Sequence, residues 1–220
     1  MKQKLLLILL LVTSICTTGW ARSRSAAANM GGEIDFYVEY SPSKMFTLFV
    51  GEELYLNFVD YPGASIFDAA YTSVGFSVAP HSNISLSAAY DFQYLNSGVV
   101  RHRVKLMATP KVHFGNFTLS LRERAQMTYN TVWNSADWLL RSRLKLEYKA
   151  KKVPLCPYLY VEMYNPLEYS AYWVESVAYG VGLDISVGKY STIGVYYELM
   201  QEVSYTDFYH LFGMAYTISF

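Results

Sequence analysis

The sequence predicts an all-β protein, a transmembrane antiparallel up-and-down β-barrel of twelve strands with ten as the fallback. Three observations carry that expectation. Large apolar and polar residues alternate with period two along almost the whole chain. Beyond the N-terminal segment no apolar run reaches the length of a spanning helix, although half of the residues are hydrophobic. The chain also finishes on HLFGMAYTISF, in which Phe212, Met214, Tyr216, Ile218 and Phe220 alternate with small or weakly polar residues. An exposed edge of this kind would template aggregation, so both faces and the edge must be hidden. Pairing of the last strand with the first, with lipid over the apolar face, hides all three.

The chain starts MKQKLLLILLLVTSICTTGWA, with Lys2 and Lys4 ahead of a short apolar core and small residues ahead of Ala21. Residues 1–21 therefore read as an export signal cleaved near Ala21, 22–32 as a flexible leader, and 33–220 as the barrel. Ile15 precedes Cys16 where lipoprotein cleavage needs a small residue, which disfavours a lipid anchor. After cleavage only Cys156 remains, so neither an internal disulfide nor a thiolate metal cluster can form. Without Lys2 and Lys4, 16 of the 18 basic side chains face 18 acidic ones, a balance that argues against a nucleic-acid partner.

In chain order, the strand near 33–41 sets Ile34, Phe36, Val38 and Tyr40 against Glu33, Asp35, Tyr37 and Glu39. The next, near 45–59, opposes Phe46, Leu48, Leu54, Leu56 and Phe58 to Thr47, Glu53, Tyr55 and Asn57. Its Gly51-Glu52-Glu53 is either a turn dividing two short strands or a bulge. Strands near 69–79 and 83–95 follow, the latter with Asp91 and Gln93 opposite Tyr90, Phe92 and Tyr94. In the strands near 99–109, 115–129 and 137–149 the polar face becomes basic, and three more candidates at 155–164, 174–187 and 190–203 precede the terminal strand. That makes eleven segments. Bacterial single-chain barrels close with even numbers, so splitting 45–59 gives the preferred twelve. Long connections such as NPLEYSAYW and NTVWNSAD alternate with short ones such as VGKYS and APHSN, as outer-membrane barrels require. A secreted β-sandwich or lipocalin-like barrel also alternates, but there the charged face meets water and the apolar face points in.

The C-terminal pattern of Phe212, Met214, Tyr216, Ile218 and Phe220 resembles the signal by which Gram-negative outer-membrane barrels are handed to their insertion machinery. More narrowly, the pairs Arg101/Arg103, Arg122/Arg124 and Arg141/Arg143, followed by PYLYVE at 157–162, resemble the family named domain of unknown function 2490. The likeness covers most of the chain after residue 21 and implies a barrel in the outer membrane. That family has no settled activity, so the likeness supplies no mechanism. Outer-membrane lipid and the insertion machinery are the partners it implies.

If the apolar face meets lipid, Arg101, Arg103, Lys105, Arg122, Arg124, Arg141, Arg143, Lys145 and Lys149 point into the lumen as a basic wall. Glu53, Asp91, Glu162, Asp184 and Glu198 are the main acidic partners opposite, with Glu33, Asp35 and Glu39 beside them. Either these charges cross and pair, filling the lumen, or water separates the walls and small charged solutes pass. The filled lumen is preferred because so few strands leave little room.

Catalysis has little support, since the four histidines form no metal-ligand pair and no nucleophile motif occurs. A lipid- or peptide-directed hydrolase with a site at the outer rim, near His102 or His210, is the alternative. No cofactor or metal is implied. Alternation puts Glu123 and His102 on the lipid face, where a turn near Val112 would make them neighbours. The preferred reading is a bulge that turns Glu123 inward, or a position at headgroup level. Trp133, Trp138, Tyr164, Tyr169, Tyr172, Trp173, Tyr205 and Tyr209 form the expected interfacial girdle.

Overall fold

The computed structural model describes residues 30–58, 65–150, 153–168, 173–203 and 208–220. Every regular element among them is a strand: β1 (Met30–Ser43), β2 (Phe46–Asn57), β3 (Phe67–His81), β4 (Ile84–Leu95), β5 (Val100–Phe114) and β6 (Phe117–Asn130). Then come β7 (Ser135–Tyr148), β8 (Leu155–Pro166), β9 (Ser176–Val187), β10 (Ser191–Glu202) and β11 (Phe208–Ser219). The export-signal segment and residues 22–29 of the expected leader lie outside the described residues, and Met30–Gly32 belong to β1.

Consecutive strands pair antiparallel, and β1 pairs with β11 to close a single barrel of eleven strands. The expected twelve, and the fallback of ten, are corrected. An odd number of up-and-down strands leaves the first and last running the same way, so they can meet only in parallel. They do so continuously from Met30 opposite His210 to Glu39 opposite Ser219. The strand that was to be split stays whole. Gly51, Glu52 and Glu53 pair without a break with Ser73, Thr72 and Tyr71 on one side and with Tyr37, Phe36 and Asp35 on the other. Gly51 serves as the seat of the Tyr37 ring, a place where any Cβ would collide.

The polarity is inverted relative to a water-soluble core. Asp91, Gln93, Lys105, Gln126, Glu162 and Glu198 are buried, whereas Phe36, Val50, Val74, Phe76, Leu106, Leu144 and Phe212 are exposed. Because successive side chains of a strand point to opposite faces, this parity holds along the strands except where the register shifts, between Tyr40 and Ser43 of β1, opposite Tyr55 and Leu56 of β2, and between Val78 and His81 of β3. The two- and three-residue connections, Gly115–Asn116 among them, all lie at one end of the barrel, which also carries the six-residue connection between β7 and β8.

Candidate functional site in the lumen

The lumen is built from side chains of alternate residues, and tyrosines fill much of it. Tyr160 and Tyr158 on β8 stand opposite Gly180 and Gly182 on β9, and Tyr196 on β10 opposite Gly213 on β11. Each ring lies over its glycine in the space that a Cβ would need. The hydroxyls then reach carboxylates: Tyr196 donates to Glu33, Tyr37 to Glu53 and Tyr160 to Glu198. Composition alone did not reveal this arrangement, but a Tyr-x-Tyr strand followed by a Gly-x-Gly strand was a signal for it.

The densest charge cluster surrounds Glu162 on β8, whose side chain is 0% exposed. Arg122 Nη2 donates to Glu162 Oε1 at 2.8 Å, while Arg141 Nη2 and Arg143 Nη2 reach Oε2 at 2.7 and 2.6 Å. Tyr164 adds a hydroxyl contact to the same carboxylate at 3.4 Å, and its ring lies under Arg141 at 4.2 Å. Arg143 stacks on Tyr160 at 4.0 Å and stands 4.0 Å from Glu198. The register explains the convergence: Arg122 is opposite Arg143 and Arg143 opposite Glu162, so one rung runs across three strands. Two cations side by side would repel, and the carboxylate at the end of the rung compensates them.

A smaller cluster is centred on Asp91, also fully buried. Lys105 Nζ lies 2.6 Å from Asp91 Oδ1, Arg103 lies 3.8 Å from Oδ2, and Ser73 donates its hydroxyl to Oδ1 at 2.7 Å. Arg103 also donates to Thr128 at 3.2 Å and sits over the Tyr71 ring. In the amide orientation that satisfies both groups, Gln93 accepts from Arg103 Nε at 2.9 Å.

The other expected lumen residues behave differently from one another. Lys145 pairs with Glu147 at 2.8 Å. Arg101 and Arg124 have buried Nε atoms that lack partners, and neither makes an ion pair among the described residues. Glu53 accepts from Tyr37 and Tyr55 and makes no ion pair among the described residues. Asp184, on β9, faces Gly194 and Cys156 without a cation at ion-pair distance among the described residues. Lys149 lies past the end of β7 and is exposed, so it is not part of the basic wall.

On the outer face, Glu123 is neither turned inward by a bulge nor opposite His102. The β5–β6 turn falls at Gly115, where φ is +64°, rather than near Val112, so Glu123 faces Ala108 and His102 faces Tyr129. Ser142 bonds to Glu123. His102 and His210 each bond a neighbouring tyrosine, Tyr90 and Tyr197, at 2.6 and 2.7 Å. The girdle is also revised: Tyr164 turns inward under Arg141 and Tyr209 lies over Gly31 while still exposed, and Trp133, Trp138 and Trp173 are exposed as well. Tyr169, Tyr172 and Tyr205 lie outside the described residues.

In the terminal strand, Phe212 packs on Tyr197, Tyr216 on Phe36, and Phe220 on Tyr190. Met214 and Ile218 pair with Ile34 and Val38 across the parallel seam, and the Phe220 amide donates to the Glu39 carbonyl at 3.0 Å. Compared with known proteins, the chain matches no family model and no curated protein.

Proposed function

We propose that this protein is an outer-membrane β-barrel whose lumen is closed by its own charges and which acts as a structural or interaction barrel rather than as a channel. The observation that carries the reading is Glu162, fully buried and held by three guanidinium groups. A carboxylate so compensated needs neither water nor mobile ions, and beside it Arg143 and the Tyr160 hydroxyl reach on to Glu198 of β10, into the space through which a solute would pass. Exposed Phe, Leu and Val on the outer face support residence in a bilayer, since apolar surface on this scale in water would drive association.

Membership in the family named domain of unknown function 2490 is part of the proposal. It gains support from the fact that residues of the resembling motifs, Arg122, Arg141, Arg143 and Glu162, meet in one cluster. The C-terminal pattern supports delivery by the barrel insertion machinery after export and cleavage near Ala21.

A narrow passive channel is the second reading, favoured by the uneven distribution of charge: Arg101 and Arg124 on one wall, and Asp35, whose Oδ1 lacks a partner, on the other. A hydrolase at the rim gains no support from His102 and His210, each of which is engaged with a tyrosine on the outer face. Recording from the purified barrel in a planar bilayer decides between the first two. No steady conductance is expected; a reproducible ohmic step would overturn the closed-lumen reading. Fractionation of the producing cell tests location separately.

A further inference from the structure

Toward the short-turn end of the lumen, beside the Glu162 cluster, lies a cavity of about 220 Å³. Lys111, Arg122, Arg143 and Lys145 line it, with the hydroxyl-bearing Thr109 and Ser120 among them and Glu147 at its side. The register explains this concentration of charge. Lys111, Ser120 and Lys145 form one rung across β5, β6 and β7, and Arg122 opposes Arg143 on the next inward rung. Inward positions on one strand are ~7 Å apart and neighbouring strands ~4.8 Å apart, so the four cations share a patch about 10 Å across.

Their compensation is incomplete. Five cations, Lys111, Arg122, Arg141, Arg143 and Lys145, share three carboxylates: Glu162, Glu147 and, at 4.0 Å, Glu198. Positive charge is left over around the cavity, and Lys111 makes no ion pair among the described residues. In a lumen of low dielectric, surplus like charge at this spacing is costly unless an anion joins it.

We propose that this cavity binds a phosphate-class dianion, either inorganic phosphate or a small phosphate monoester entering from the short-turn mouth. Four cations and a single carboxylate line the cavity, so a dianion compensates them more fully than a monocarboxylate. Guanidinium forks, ammonium groups and hydroxyls are also the donor set that suits the oxygens of phosphate. The volume admits a phosphate carrying a few carbons and is too small for a nucleotide. The site goes beyond the closed-barrel reading and depends only on the lumen, so it stands wherever the barrel resides.

Calorimetric titration of the folded full chain in detergent, with sodium phosphate, glycerol phosphate and sodium acetate in turn, tests it. Phosphate or its monoester should bind with one site per barrel, and acetate at least about tenfold more weakly. Lys111→Gln should weaken phosphate binding by about tenfold or more, while Lys189→Gln, at an exposed turn between β9 and β10, should leave it unchanged. The stronger of the two phosphate ligands identifies which source the site prefers. No binding by either, equal affinity in the Lys111→Gln barrel, or acetate binding as tightly as phosphate would each overturn the assignment.

Discussion

Ser142 donates its hydroxyl to Glu123 Oε2 across a distance of 2.7 Å on the outer face of the barrel. Glu123 stands six residues from Phe117, and Ser142 six from Tyr148, two aromatics that pack at the short-turn end. Along a tilted strand that is roughly 15 Å of height, near the middle of an apolar band about 25 Å tall. In the proposed bilayer a carboxylate there would lose water and keep the Ser142 hydroxyl.

Ser142→Ala should therefore lower stability in phospholipid vesicles by about 1–2 kcal/mol, because it strips the carboxylate of that donor. Glu123→Leu combined with Ser142→Ala should return stability to the wild-type level or above it, since the outward charge goes as well. Urea unfolding followed by tryptophan fluorescence checks both. If the double variant is no more stable than Ser142→Ala alone, this face does not meet hydrocarbon.

Removing the centre of the lumen cluster should be far more damaging. Glu162→Ala leaves three guanidinium groups without their shared carboxylate and should cost about 3–5 kcal/mol, with Glu162→Gln intermediate. Arg122→Ala should cost less, on the order of 3 kcal/mol at most, since Arg141 and Arg143 still hold the carboxylate. The temperature at which the compact band is lost on heated gels reports the loss, and the Arg122→Ala barrel should remain without conductance.

Tyr196 and Gly213 provide a steric test. Gly213→Val places a side chain where the Tyr196 ring lies and should cost about 1–3 kcal/mol by overpacking. Tyr196→Ala vacates that space and removes one of the two tyrosine hydroxyls, Tyr196 and Tyr55, that bond Glu33. In a double-mutant cycle the two changes should couple by at least about 1 kcal/mol, and simple additivity would mean that the ring does not occupy this seat.

Phe220 joins the seam through its amide and its ring packs on Tyr190. Phe220→Ala should lower the yield of folded barrel in the outer membrane while leaving refolding of the purified chain into detergent nearly intact. Equal losses in the two experiments would make Phe220 a stability residue rather than an insertion signal.

The sequence by itself determined the strands and their faces. Strand geometry sends alternate side chains to opposite sides, so the spacing of Phe36, Val38 and Tyr40 against Asp35, Tyr37 and Glu39 separates outside from inside without knowledge of any partner strand. It also brought Arg122, Arg141, Arg143 and Glu162 to the inner face, because inward parity needs only the position of each residue in its own strand. What the tertiary structure decided was everything that depends on pairing between strands. Strand number turned on whether Gly51 breaks β2, and the answer lies in the Tyr37 ring of another strand. The odd closure depends on β1 meeting β11, residues that no local pattern relates. The neighbours of Glu123 followed from a turn at Gly115, three residues from where alternation alone would centre it. The convergence of three arginines on one carboxylate, and the surplus charge left around Lys111, are set by register and barrel curvature, because only a closed sheet turns side chains from separate strands toward one axis.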